Sequence, residues 1–462
     1  MFETDTIAAI STPSGTGGIG IIRISGDKAF EIARKIFEGK RSFDSFRSHT
    51  INYGKIVDPS TNETIDEVLL SRMDGPNTFT REDVIEINCH GGIAVQKRII
   101  ELVVREGARI AEPGEFTKRA FLNGRIDLTQ AEAVIDLINS KTEAGSRAAV
   151  DQLEGKLSEK LKEVRKRLIE LIAHIEVTVD YPEHDIEEIT GQKIYEELNA
   201  IGSKLNNIIK NFDKGRIIRE GISVVIVGRP NVGKSSLLNE LSGKNKAIVT
   251  DIPGTTRDII EEYVNIEGIP VKLIDTAGIR QTEDVVEKIG VEKARKSIES
   301  ADLVIMMVDA GSGINSEDLE IMKAAREICN RKLIVLINKI DVADETSIKN
   351  IENTFDDVRT IRASIKEEKG IEELERAITE SFVRDEIKTG SEMLVTNVRH
   401  KSLIDKAINN INDARTAFES GMPLDCLTID IKNAAEHIGQ ITGESVSEDV
   451  MKSIFSRFCL GK

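Results

Sequence analysis

Short apolar runs separated by Gly and Pro turns dominate the first part of the chain. Alternation over the length of a strand, or apolar spacing of three and four residues, distinguishes the elements there. The pattern predicts strands at 20–24, 68–73 and 84–88 and helices at 27–38 and 93–106. Residues 1–118 are therefore expected to form a small α/β domain.

From Leu128 onward the pattern changes to long amphipathic helices, which bury one apolar face each. The first apolar stripe consists of Leu153, Leu157, Leu161, Val164, Leu168, Leu171 and Ile175, the second of Leu403, Ala407, Ile408, Ile411, Ala414 and Phe418, and the third of Leu427, Ile431, Ala434, Ile438 and Ile441. Because one exposed stripe needs a partner, residues 119–218 and 382–462 are expected to form one helical domain that is split in sequence.

Between the two helical parts, residues 219–381 switch to repeated strand and helix. The β-rich runs lie at 224–227, 271–274, 303–308 and 333–337. Their continuous apolar character and spacing predict a doubly wound, mostly parallel sheet. The expected fold class is α/β and α multidomain, with a whole α/β domain inserted into a helical bundle.

The composition predicts a protein that does not span a membrane. Hydrophobic residues make up 40% of the 462, and no unbroken apolar run is long enough to cross a bilayer. Residues 1–9 lack the features of a targeting signal, and four scattered cysteines fit a reducing compartment, so a cytoplasmic location is expected. The formal net charge of −16 argues against a protein that grips a nucleic acid by itself.

Residues 228–235 read Gly-Arg-Pro-Asn-Val-Gly-Lys-Ser, which matches the phosphate-binding pattern G-x-x-x-x-G-K-S. The segment follows an apolar strand and precedes a helix expected to begin near Ser236, as the pattern requires. Backbone N–H groups can curl around phosphate oxygens there, and the helix N-terminus adds positive potential. Lys234 is expected to reach the terminal phosphates and Ser235 to ligate Mg²⁺.

Two further elements stand at predicted strand ends. Asp275-Thr276-Ala277-Gly278 offers a carboxylate for hydrated Mg²⁺ and a glycine amide for the γ-phosphate. Asn338-Lys339-Ile340-Asp341 offers the Asp341 carboxylate to the N–H edge of guanine, where adenine presents an acceptor. Ser364-Ile365 stands where a third loop usually supports the base. Together the elements predict a GTPase.

The usual glutamine that orients the attacking water is missing, since Ile279 follows Gly278. Glu287 could orient that water through a bridging water, but from the residues alone an ordinary solvated acid is an equally good interpretation. Arg257 is a possible arginine finger, although an exposed loop arginine is more often solvated.

The segment at 250–258 is rich in oxygen ligands, and Thr256 is a candidate second hydroxyl on Mg²⁺. Asn231 and the backbone carbonyls near Thr250 and Ile252 are hard oxygen donors. They could hold K⁺ as the positive charge that replaces an arginine finger.

Motifs outside the nucleotide site resemble the MnmE family of tRNA-modification GTPases from one end of the chain to the other. They are DTIAA at 5–9, GGIGIIRISG at 17–26, EDVIE at 82–86, HGG at 90–92, PGEFT at 113–117, RAFLNG at 119–124 and FCLGK at 458–462. The chain departs from the family pattern at Arg81, where many relatives have Gly, and at Ile365.

The resemblance implies a homodimer held by the N-terminal domains, whose G domains meet across their nucleotide faces. It implies K⁺ ligation by Asn231, Thr250, Ile252 and Thr255, Mg²⁺ ligation by Ser235 and Thr256, and a catalytic role for Glu287. The full set of expected nucleotide contacts is Asn231, Val232, Gly233, Lys234, Ser235, Ser236, Thr250, Thr255, Thr256, Asp275, Thr276, Ala277, Gly278, Asn338, Lys339, Asp341, Ser364 and Ile365.

The resemblance also implies that the protein modifies the wobble uridine of tRNA together with an FAD-containing partner. The one-carbon donor would be 5-formyltetrahydrofolate, bound by Arg23, Glu86, Arg125 and Lys462. Glu86 can hydrogen-bond the amide-like edge of a pterin, and the cations can meet the carboxylates of the folate's glutamate.

Two other patterns in the N-terminal region are weaker indications of function. Gly15 to Gly20 fits G-x-G-x-x-G but precedes a predicted strand, so dinucleotide binding is rejected. His90 is expected to be a hydrogen-bonded turn residue. The alternative function is a ribosome-assembly GTPase that acts as an RNA-binding factor, but the appended KH unit or second G domain expected of that class is not recognisable.

Overall fold

The structure, a computed structural model, describes residues 5–13, 15–180, 186–244, 262–275, 301–328, 332–382 and 395–461. The chain forms two compact units. The first comprises Met1–Ile138, Asp151–Gly202 and Leu403–Lys462, and the second comprises Asn139–Val150 and Ser203–Ser402. Among the described helices, none has the length and apolar character needed to pass through a bilayer.

The first unit contains a seven-stranded sheet in the order β3-β4-β5-β6-β2-β1-β7. Its strands are β1 Ile7–Ile10, β2 Ile19–Ser25, β3 Phe37–Gly39, β4 Thr50–Asp58, β5 Glu63–Met73, β6 Val84–His90 and β7 Arg109–Ile110. Helices α1 (Ala29–Ile36) and α2 (Ile93–Arg105) contribute to the core on one face of this sheet, because alternate strand residues such as Ile22, Leu70 and Ile87 point to them. The predicted strands and helices of this region are confirmed, except that the helix expected at 27–38 ends at Ile36 and Phe37–Gly39 forms β3.

The rest of the first unit is helical. The helices with residues in this unit are α3 Glu115–Leu122, α4 Leu128–Ile138, α5 Glu143–Leu153, α6 Lys156–Asp180, α7 Ile186–Ile209, α13 Val398–Glu419, α14 Leu424–Thr442 and α15 Glu448–Phe455. Helices α6 and α14 pack along each other, which confirms the predicted partnership of the first and third apolar stripes. The prediction of the first stripe is wrong at its start, because Leu153 belongs to α5 and not to α6. Gly155, with φ of +88°, separates the two helices.

The second stripe also lies on a single helix. Within α13, Ala407, Ile411 and Ala414 are fully buried. The rings of Tyr195 in α7 and Phe418 in α13 stack with centroids 5.3 Å apart, and the Tyr195 hydroxyl donates to Glu419 at 2.6 Å. Helices α7 and α13 therefore pack against each other.

The second unit is built on a six-stranded sheet in the order β13-β12-β11-β8-β10-β9. Its strands are β8 Ile222–Val227, β9 Glu262–Ile266, β10 Ile269–Asp275, β11 Leu303–Asp309, β12 Lys332–Asn338 and β13 Arg359–Arg362, and its helices include α8 Phe212–Glu220, α9 Lys234–Lys244, α10 Ser316–Ile328, α11 Glu345–Thr354 and α12 Ile371–Phe382. All neighbouring strands are parallel except β9 and β10, which form a hairpin.

Separate apolar clusters cover the two faces of this second sheet. Along β11, Leu303, Ile305 and Met307 belong to one cluster, whereas Val304 and Met306 belong to the other. A sheet buried on both faces needs continuous apolar strands, which is why these strands were recognisable in the sequence. The predicted fold class, α/β and α multidomain with a mostly parallel sheet, is confirmed.

Candidate active site

The phosphate-binding segment occupies the turn between β8 and α9, at the carboxyl edge of the second sheet. Three of its residues have positive φ: Gly228 at +147°, Asn231 at +64° and Gly233 at +109°. A Cβ on Gly233 would lie 2.4 Å from Asn338 Nδ2, so only glycine lets the two loops approach this closely. The turn therefore has the tight backbone curvature that phosphate binding by N–H groups requires.

Lys234 begins α9, slightly before the predicted start near Ser236. Its Nζ donates to the carbonyl oxygens of Gly228 and Arg229, each at 2.7 Å. The ammonium group is thus held over the phosphate-binding turn by two neutral acceptors. Ser235 and Ser236 follow in the first helical turn with exposed side chains.

Two hydrogen bonds join the predicted guanine loop to the phosphate-binding turn. Asn338, the last residue of β12, donates from Nδ2 to the carbonyl of Val232 at 2.8 Å and accepts from the backbone N–H of Ile365 at 3.2 Å. Lys339 Nζ donates to the carbonyl of Asn231 at 2.9 Å. The phosphate loop, the guanine loop and the Ser364-Ile365 loop therefore converge, as the sequence predicted.

The Ser364-Ile365 loop holds the side chain of Asp341 in place. Ser364 Oγ, which is fully buried, donates to Asp341 Oδ1 at 2.7 Å, and this hydrogen bond lowers the pKa of the Asp341 carboxyl. An ionised carboxylate at this position can accept two hydrogen bonds from the N–H edge of a guanine.

Two ion pairs that the sequence analysis missed support these loops. Asp309, at the end of β11, accepts from Lys339 Nζ at 2.7 Å; burial would raise the pKa of Asp309, but the lysine lowers it on balance. Arg229 donates from Nε to the completely buried carboxylate of Asp318 at 2.9 Å. The position of Asp309 at the end of a buried strand was a signal for the residue itself, but nothing in the sequence indicated its partner.

Asp275 ends β10, and its Cα pairs with that of Ile226 in β8, so its backbone lies at the same sheet edge as the phosphate-binding turn. The other predicted residues of this site lie outside the described part of the chain. They are Thr250, Ile252, Thr255, Thr256, Arg257, Thr276, Ala277, Gly278 and Glu287.

A second group of predicted residues meets in the first unit, on the N-terminal sheet. Arg23 in β2 and Glu86 in β6 are direct cross-strand neighbours, and the guanidinium contacts Glu86 Oε1 at 2.9 Å from Nε and 2.7 Å from Nη2. The Phe79 ring lies 6.0 Å from the Arg23 guanidinium carbon and 4.8 Å from that of Arg125. Lys462 lies outside the described residues, while Gly461 accepts from Ser11 Oγ at 3.1 Å.

A buried charged network, not foreseen from the sequence, supports the loop that carries Phe79. Arg119 donates to Asp5, Glu82 and Glu115, and Glu82 also accepts from Ser25 Oγ at 2.6 Å. Burial alone would raise the pKa of Glu115, but hydrogen bonds from Arg109 and Arg119 lower it on balance. Each buried charge is paired, which is the condition under which such charges are tolerated.

The two weaker patterns are also resolved. Strand β2 begins at Ile19, so the glycine-rich segment before it does not open a helix and the rejection of dinucleotide binding is supported. His90 Nδ1 lies 2.7 Å from Asp66 Oδ1, so the histidine is hydrogen-bonded as expected, but it ends strand β6 and is not a turn residue.

Comparison with known proteins assigns the family. Residues 6–125 match the model described as GTP-binding protein TrmE N-terminus, and residues 128–459 match the model described as MnmE helical domain. A protein named tRNA modification GTPase MnmE from Acetivibrio thermocellus is 66% identical over 462 residues, and its namesake from Alkaliphilus oremlandii is 51% identical over 464; both alignments cover 100% of either chain.

Among solved structures, an Era variant from Aquifex aeolicus bound to GDP and AlF4⁻ is 29% identical and covers 41% of this chain and 66% of its own, with a TM-score of 0.29. Because that score is low, the assignment depends on the full-length sequence relatives. The chain belongs to the MnmE family, and it is a GTP-hydrolysing enzyme.

Proposed function

We propose that this enzyme couples GTP hydrolysis to modification of the wobble uridine of tRNA, acting with an FAD-containing partner protein and a formyltetrahydrofolate donor. The observation that carries the GTPase part is the joining of the phosphate and guanine loops through Asn338 and Lys339. The tRNA part is supported by full-length relatives whose name is tRNA modification GTPase.

At the nucleotide site, Lys234 exchanges its two carbonyl acceptors for phosphate oxygens when GTP binds, because charged acceptors form stronger hydrogen bonds. Asp341, held by Ser364, selects guanine. Ser235, exposed in the first turn of α9, and Asp275, at the end of β10, offer the hard oxygen ligands that suit Mg²⁺. Bound Mg²⁺ would neutralise charge that develops on the phosphates.

The proposed K⁺ site uses Asn231, together with Thr250, Ile252 and Thr255. Asn231 has an exposed side chain and a left-handed backbone, and Lys339 fixes its carbonyl oxygen. An amide oxygen on a turn fixed in this way is a suitable ligand for K⁺. In this proposal Glu287 orients the attacking water, and Thr256 is the second Mg²⁺ hydroxyl.

The proposed folate site lies at Arg23, Glu86 and Arg125, with Lys462. Glu86 has a side chain 24% exposed and held by Arg23, so one carboxylate oxygen remains for the amide-like edge of a pterin. Phe79, whose ring lies close to the guanidinium groups of Arg23 and Arg125, would add an aromatic contact for a flat ring.

The homodimer is proposed to form through the N-terminal sheet. Its face opposite α1 and α2 carries exposed apolar side chains, with Ile51 67%, Tyr53 57% and Leu69 44% exposed, and Tyr53 and Leu69 are direct neighbours in register. A second copy could cover this patch by self-complementary packing. The G domains would then meet across their nucleotide faces, and this contact would activate hydrolysis.

Two experiments test the proposal. GTP turnover should be much faster in KCl than in NaCl at equal ionic strength, and Asn231→Ala should lose that difference while Asn239→Ala, an exposed neighbour in α9, keeps it. Equal rates in the two salts for the unaltered protein would contradict the K⁺ site.

Mass spectrometry of tRNA nucleosides from a deletion strain tests the RNA function. If the wobble uridines of that strain carried the same modification as those of its parent, the proposed RNA function would be excluded.

A further inference from the structure

Two arginines lie at the edge of the proposed folate site, which is called the N-terminal site below. Each arginine donates a hydrogen bond to the turn that carries the other. Arg81 Nη1 donates to the carbonyl of Asn123 at 2.9 Å, and Arg125 Nη1 donates to the carbonyl of Phe79 at 3.0 Å. Asn123 Nδ2 completes the connection by donating to the carbonyl of Thr80 at 2.6 Å. The two guanidinium groups are thereby brought to the same edge of the site.

The charge of these two arginines is not balanced locally. Within the described ranges, neither Arg81 nor Arg125 forms an ion pair with a carboxylate, whereas Arg23 is paired with Glu86 and Arg119 with Glu82. Burial and the nearby charge of Arg81 both lower the pKa of Arg125. Two like charges held close together repel each other, and an anion that binds both relieves the repulsion.

The backbone at Arg81 is also unusual. Its φ of +62° lies in the left-handed region, which is sterically unfavourable for a residue with a long side chain. The position is fixed by the surrounding turn, in which Thr78 Oγ1 donates to the carbonyl of Glu82 at 2.6 Å. A strained conformation that presents an unbalanced cation is a feature from which function can be inferred.

We propose that Arg81 and Arg125 form an anion subsite that binds the γ-linked glutamate tail of a folate. The inference rests on the proposed folate function of this site and names the form of folate that it prefers. A tail of several glutamates offers successive carboxylates to the two guanidinium groups. Each guanidinium group is planar and can bind a carboxylate bidentately. Arg125 also lies over the Phe79 ring of the proposed folate site, with its guanidinium carbon 4.8 Å from the ring centroid, and this position favours the tail of a folate bound there over an RNA backbone.

The test is calorimetric titration of the full-length protein with 5-formyltetrahydrofolate that carries either one or five glutamates. At low salt the unaltered protein should bind the long-tailed form about fivefold more tightly, a typical effect for exposed charge pairs, and added NaCl should reduce the ratio. Arg81→Gly suits the left-handed backbone and should bring the ratio close to one. Asn62→Gly places the same glycine at another left-handed position, with φ of +56°, without removing a charge, and should keep the original ratio.

The outcomes are distinguishable. An unchanged ratio in Arg81→Gly would overturn the tail subsite while leaving folate binding in place. A failure of both ligands to bind the unaltered protein would overturn the folate proposal itself and the subsite with it. If Arg81→Gly kept the ratio but weakened tRNA binding, the arginine would serve an RNA phosphate, contrary to the inference.

Discussion

At the nucleotide-binding edge, hydrogen bonds from side chains to backbone carbonyls hold the loops around the phosphate-binding turn, whereas the central contact of the N-terminal site is an ion pair between two strands. Lys234, Asn338 and Lys339 all donate to carbonyl oxygens of the phosphate-binding turn. By contrast, Arg23 and Glu86 pair with each other across two strands. In the proposed function, the first site binds its ligand largely through the backbone of loops, and the second binds its ligand through side chains on a sheet.

This difference has a consequence for how each site responds to change. A loop site depends on backbone conformations such as the positive φ of Asn231 and Gly233, so it should be sensitive to any added side chain. A sheet site depends on individual charges, so it should lose affinity in moderate steps while its backbone stays in place. The two sites lie in different compact units, and local changes should therefore act on one ligand at a time.

The largest effect is expected for Lys234→Ala. Loss of the ammonium group removes a charge that stabilises the transferring phosphoryl group, and kcat/KM for GTP should fall on the order of 10²–10³-fold. Lys349→Ala, an exposed lysine of α11, is the matched control and should keep its activity. Steady-state phosphate release measures both. A fall of less than tenfold would mean that the turn does not hold the phosphates.

The next effect concerns stability. Gly233→Ala would force a Cβ to within 2.4 Å of Asn338 Nδ2 at a φ of +109°. The free energy of unfolding of the second unit, which contains the nucleotide site, should therefore fall by about 3 kcal/mol. Gly243→Ala is the control, because a Cβ there meets nothing within 4 Å and alanine favours the helix by about 1 kcal/mol. Calorimetry of the full chain with and without GDP identifies the relevant transition. Equal stability of the two variants would contradict the close packing of the loops.

A smaller effect is expected at the N-terminal site. Glu86→Gln removes the charge that pairs with Arg23 but keeps the shape, so affinity for 5-formyltetrahydrofolate should fall about tenfold. Affinity for GTP, measured on the same preparation, should stay unchanged. A parallel loss of GTP affinity would show that the two sites are not independent, and the comparison between them would fail.

The smallest effect is expected from mild acid. The hydrogen bond from Ser364 lowers the pKa of Asp341 below its usual 3.8, so the carboxylate stays ionised until the pH falls through that lowered value. Protonation of Asp341 should therefore not change GDP affinity between pH 7.5 and pH 5.5. Ser364→Ala should raise the pH at which protonation of Asp341 weakens GDP binding. Titration of GDP affinity against pH checks this; a midpoint that is unaffected by Ser364→Ala would contradict the role given to the serine.

How far each site was predictable follows from the same contrast. The phosphate and guanine loops are short contiguous motifs directly after apolar strands, so the edge of the sheet on which they meet could be predicted from the strand pattern alone. Arg23 and Glu86 are far apart in sequence, and nothing local indicates that they are cross-strand neighbours. Only the family resemblance suggested them.

Some features could not have been predicted by either route. The ion pairs of Lys339 with Asp309 and of Arg229 with Asp318 depend on side-chain packing between elements that local motifs do not specify. The same holds for the network around Arg119, whose partners come from three separate segments. The break between α5 and α6 was missed because apolar spacing continues through Gly155, although a glycine at that point is a common helix end.

The central claim is that the turn containing Lys234 and the loop containing Asp341 hold one guanine nucleotide together. Competition binding of GTP and ATP to the full-length protein tests it most directly. The account predicts that GTP binds at least about 100-fold more tightly, because adenine would leave the Asp341 carboxylate without its hydrogen bonds. Equal affinities for the two nucleotides would contradict it.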